Sequence, residues 1–149
     1  MTVATGIFTL IETRKKNQVD LIKHDLREIE KIKKSIPDIE TPVKGKQLND
    51  FITPFEQVHS DIKHFIRISG KKYNLKSKLN CNEFEASLEA VKKNWPIYKE
   101  KYHTIFIDDV PIGENEMKAA EYRINENIKY FRSLCNKIHN VINERLSKM

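Results

Sequence analysis

The side chains of this chain best suited to chemistry are cations gathered in one stretch. Lys63, Arg67, Lys71, Lys72, Lys76 and Lys78 follow one another closely, and no acidic residue occurs between Ile62 and Asn82. His64 and Tyr73 are interleaved with them. A stripe of this kind attracts phosphates through Coulomb forces and counterion release, and an aromatic ring within it can stack on an unpaired base. The six cations and Tyr73 are therefore the candidate nucleic-acid contacts. A net charge of +6 agrees with a polyanionic partner. A solvated loop that merely keeps a basic protein soluble has the same composition, and that alternative stands beside the first.

Arg132 and His139 form a second constellation, two turns apart on one side of a helical stretch. Histidine titrates near neutrality and so suits proton transfer. The Arg-x6-His spacing resembles the Arg-x4–6-His pattern of HEPN-family ribonucleases, small helical bundles in which the two residues act on RNA at a dimer interface. The resemblance implies that Arg132 holds a phosphate while His139 assists a 2′-hydroxyl in attacking it. It covers two residues, and only ten residues follow His139 here, where that family continues with more helix.

Glu56-x-x-His59 and Glu100-x-x-His103 share the spacing by which carboxylate-bridged di-iron bundles aim a carboxylate and an imidazole at a central metal. On a helix wheel of about 100° per residue, however, Glu100 lies nearly opposite Tyr98 and points away from the apolar stripe. The order of the motifs also departs from the ferritin-like pattern. No metal and no cofactor is expected. Glycine-rich phosphate loops and His-Glu-x-x-His or Gly-x-Ser-x-Gly motifs do not occur, and neither cysteine has a flanking base.

Positioning these residues falls to helices. Met117, Ala120, Ile124, Ile128, Phe131, Cys135, Ile138, Ile142 and Leu146 recur every three or four residues, which predicts one unbroken helix over 114–148. Ile7, Ile11, Val19, Ile22, Leu26, Ile29 and Ile36 predict another over about 5–35, frayed or bent around 13–17, where Lys15 replaces an apolar residue. Pro37 and Pro42 end it. Thr53-Pro54-Phe55-Glu56 reads as a capping box that starts a second helix at Pro54, and Gly70 stands where a left-handed residue would close it. The cationic segment 71–80 reads as a loop with room for one helical turn. Asn80 or Asn82 would cap a third helix carrying Phe84, Leu88, Val91, Trp95, Tyr98, Tyr102 and Ile105, kinked or broken at Pro96.

The expected fold is all-α: an up-and-down four-helix bundle with two long helices, first and last, and two shorter ones, in a single domain over residues 1–149. Cys81 and Cys135 belong to no Cys-x-x-Cys pair and are expected reduced and buried in a cytoplasmic protein. The apolar run 3–11 lacks a preceding basic segment, unlike a signal peptide. No apolar stretch reaches the roughly eighteen residues of a membrane span, so no membrane partner is expected. The leading functional expectation is a non-enzymatic binding module that contacts nucleic acid within a larger assembly. The alternatives are a module that binds only protein, including a second copy as a homodimer, and the ribonuclease or toxin reading of Arg132 and His139.

Overall fold

The computed structural model describes the backbone of residues 3–149 and the side chains from Gly6 onward, Phe8 excepted. Among the described residues there is no strand. The helices are α1 (Val3–Lys34), α2 (Ile52–Ser69), the short α3 (Leu75–Lys78), α4 (Phe84–Tyr102) and α5 (Glu114–Ser147), and a π-helical turn over His103–Ile107 extends α4. The four long helices form the expected bundle, with α5 packed between α4 and α1 and α2 closing the fourth side. Their directions follow from cross-links. Ser87 meets Asn127, Asn94 meets Arg123 and Lys101 meets Glu116, so α4 and α5 run antiparallel. Glu30 faces His139 and Asp38 faces Arg132, which makes α1 and α5 antiparallel as well.

The periodic residues of α5 lie at the centre of this arrangement. Ile124, Ile128, Phe131, Ile138 and Ile142 are all buried, and each such side chain contributes about 1.5–3 kcal/mol of transfer free energy. Phe131 stacks on Phe55 with ring centroids 4.5 Å apart, and Phe84 and His59 extend the aromatic cluster. At the other end Trp95, Tyr98 and Tyr102 line up along α4, and the Tyr102 ring meets Phe106 of the π-turn.

Several local expectations are corrected. α2 begins at Ile52, and Thr53 makes no side-chain cap to it. Asp50 does that work, its Oδ1 accepting from the backbone N–H groups of Ile52 and Thr53; these bonds, with one from the Thr53 hydroxyl first among them, hold its carboxyl below the usual range. Gly70 is right-handed, φ −61°, and a Cβ there would stand 2.2 Å from the Ile66 carbonyl oxygen, so close approach rather than handedness calls for glycine. The left-handed residue is Asn74, φ 55°. α4 starts at Phe84 without a side-chain cap from Asn80 or Asn82, and it runs through Pro96 unbroken, because Trp95, Tyr98 and Tyr102 on both sides of the proline are seated in the core. Likewise α1 is continuous across 13–17.

Tyr102 also secures the long connection between α1 and α2. Its hydroxyl lies 3.0 Å from the Val43 carbonyl, 2.9 Å from the Lys46 carbonyl and 3.2 Å from the Val43 N–H. Tyr102→Phe keeps the ring but orphans these groups, so we expect a loss of about 1–3 kcal/mol in urea unfolding and earlier proteolysis within 40–48 than elsewhere in the chain.

Candidate nucleic-acid interface

The cationic segment is shaped by its apolar members. Tyr73, Leu75 and Leu79 are buried and tie the turn after α2 to the core. Leu75 N–H donates to the Gly70 carbonyl and Leu79 N–H to that of Leu75. With those three side chains inward, Lys71, Lys76 and Lys78 stand exposed. The C-terminal end of α2 itself favours cations such as Arg67, since the helix dipole is negative there.

The structure divides the predicted contacts into two groups. Tyr73 is 3% exposed, and its phenol donates to Asp25 of α1. Burial first, then that bond, push the phenol well above its ordinary pKa. Tyr73 therefore has no free face for a base, which corrects its expected stacking role. Lys72 pairs with the same Asp25 at 3.0 Å and lies 5.2 Å from the Tyr73 ring, and Lys63 pairs with Glu85 at 3.0 Å. Arg67 donates to Nδ1 of His64. Among the described residues, no carboxylate pairs with Arg67, Lys71, Lys76 or Lys78.

Other cations reach this end of the bundle, and sequence reasoning missed them. Gln18, Leu21 and Ile22 of α1, Lys72 and Tyr73, and Arg145 and Met149 line one small pocket. The end of α5 therefore brings Arg145 and Lys148 beside the lysine-rich turn, and Arg14, Lys15 and Lys16 lie within a helical turn or so of Gln18 on α1. The available signal was the antiparallel pairing of two long helices, which returns the C-terminal cations to the level of residues 18–22.

His139 faces α1, and Arg132 faces the connection that follows it. Arg132 is hydrogen-bonded to Asp38, and His139 Nε2 lies 3.6 Å from Glu30. Each is thus accompanied by a carboxylate, on the wall of a groove shared with Leu26, Arg27 and Lys34 in the case of His139. Between α1 and α2 another groove of about 450 Å³ holds His24, Asp25, Glu28, Asp61 and His64, a set of mixed charge. Among the described residues no three His, Cys, Asp or Glu side chains converge as a metal site. Glu56 pairs with Lys92, and His59 is buried against Phe84 with ring centroids 4.1 Å apart. Cys135 is buried, which pushes its thiol up to about 12, whereas Cys81 is only partly buried, short of the expected burial. Comparison with protein-family models, with curated proteins and with solved structures gives no match.

Burial lowers the His59 pKa below its ordinary 6.5, against the opposing attraction of Glu85. The folded chain then binds fewer protons at this site than the unfolded chain, so stability is complete above about pH 6.5 and falls as pH drops towards the folded value. His59→Phe should flatten the pH dependence of unfolding free energy between pH 7 and 5, by at most about 1.4 kcal/mol per pH unit. Urea titrations of both proteins at each pH check the difference.

Proposed function

We propose that this protein is a non-enzymatic helical module, acting in the cytoplasm as a small subunit of a larger assembly, that holds nucleic acid by its phosphate backbone. The observation that carries the reading is the group of exposed cations Lys71, Lys76 and Lys78, unpaired with any carboxylate among the described residues and joined at the same end by Arg67, Arg145 and Lys148. With Tyr73 engaged in the core, the contact is electrostatic and independent of base sequence. Such binding weakens steeply with salt, because each neutralised phosphate releases counterions.

The test is anisotropy titration of labelled single-stranded RNA and duplex DNA against salt. Lys71→Glu/Lys76→Glu/Lys78→Glu should weaken binding more than tenfold and lower the log–log salt slope by about two to three, with an unchanged Tm. Lys72→Glu should instead lower Tm, since it sets a second carboxylate against Asp25. No binding at low salt, or binding indifferent to the triple reversal, would remove this function. RNA cleavage by the wild-type chain that His139→Ala abolishes would replace it with the ribonuclease reading.

A further inference from the structure

Lys23, Arg27, Lys31 and Lys34 of α1 are exposed, and their side chains make no hydrogen bond or ion pair with a described residue. At about 100° per residue they share an arc of about 80°, turned well away from the buried Ile22 and Ile29. Along the helix axis they follow one another at about 6, 6 and 4.5 Å, a row of about 16 Å. Asp20 stands one turn before the row, and Glu30 on its flank is turned to His139 at 3.6 Å. From 23 to 34 the arc itself holds no carboxylate. Like charges three and four residues apart destabilise a helix. The helix dipole compensates only in the last turn, where Lys31 and Lys34 lie, and offers Lys23 and Arg27 nothing. Beside the row runs a groove of about 500 Å³, walled by Arg27, Lys31 and Lys34 on one helix and by His139 on the other.

From this arrangement we propose that the outward side of α1 is a second phosphate-binding face, which takes duplex nucleic acid independently of the lysine-rich turn. It rests on the nucleic-acid reading above and adds a separate contact to it. The separation follows from Asp25, which holds Lys72 and Tyr73 and lies about 160° around α1 from Arg27. The turn is thus docked on one side of the helix, and the row of cations stands on another. Linear repetition selects a polymer, since a small anion would leave most of the row unmatched, whereas a duplex carries one charge per about 1.7 Å of its axis. The arc offers no apolar anchor of the kind on which protein interfaces centre: Leu21, the nearest exposed aliphatic residue, lies outside it. It also holds no aromatic ring on which an unpaired base could stack, which selects duplex over single strand.

The experiment titrates the full chain at low salt with a G·C-rich DNA duplex of about ten base pairs, one helical turn, and reads the mass of the complexes by sedimentation equilibrium. Wild type should take up one duplex tightly, on the lysine-rich turn, and a second more weakly, the second with a log–log salt slope of about −3 to −4 for its four cations. Lys23→Gln/Arg27→Gln/Lys31→Gln/Lys34→Gln should remove the second duplex and leave the first, with an unchanged Tm. The triple reversal at Lys71, Lys76 and Lys78 should remove the first and leave the second. The proposal is overturned if the glutamine variant takes up as many duplexes as wild type, or if wild type takes up a single duplex that is lost in both variants. A single duplex lost in the glutamine variant and kept in the triple reversal instead overturns the reading of the lysine-rich turn and supports this face.

Discussion

Covering the apolar stripe of α5 is the constraint on which the rest of this molecule depends. The stripe runs from Met117 to Ile142 through the middle of the bundle and is buried along that length. A rod of that length cannot bury its own face, and α4, α1 and α2 each cover part of it. Once α1 and α5 lie antiparallel in the register fixed by Glu30 with His139 and Asp38 with Arg132, two consequences follow. The last turn of α5 arrives beside the turn after α2, and the first turns of α1 are carried past the end of α5.

Those consequences concentrate charge. The turn between α2 and α4 would be basic wherever it lay, but packing sets it against Arg145 and the level of Gln18. Packing also removes part of its charge. Asp25 sits where it can receive both the Tyr73 hydroxyl and the Lys72 ammonium, and a half-buried carboxylate at that position requires such partners. Lys72 and Tyr73 are thus parts of the α1–α2 junction, whereas Lys71, Lys76 and Lys78 alternate with the buried anchors and face water. A single segment holds both structural and available groups, separated by which side chains the core demands.

Local signals failed where tertiary contacts or neighbouring groups competed with them. The Thr53–Glu56 capping box lost to Asp50, whose carboxylate accepts from the Ile52 and Thr53 N–H groups at the start of the helix and, being charged, accepts more strongly. Pro96 removes one backbone donor, yet the aromatic residues on both sides of it gain more from burial than a break would return. Gly70 invites a left-handed reading, but what its position requires is the absence of a Cβ near Ile66. Each of these is a preference of about a kilocalorie or a few set against a packed interior.

Sequence alone determined the number and approximate extent of the long helices and most of their inward faces, because apolar side chains must recur at the helical period if one face is to leave water. It likewise showed where the cations cluster along the chain. Only the tertiary structure decided which of them are neutralised, since Asp25 meets Lys72 and Tyr73 across 47 and 48 residues, and an ion pair depends on separation in space rather than along the chain. The same holds for the projecting part of α1. Its periodicity matches that of the buried part, and only the end of the neighbouring helix separates a face in the core from a face in solvent.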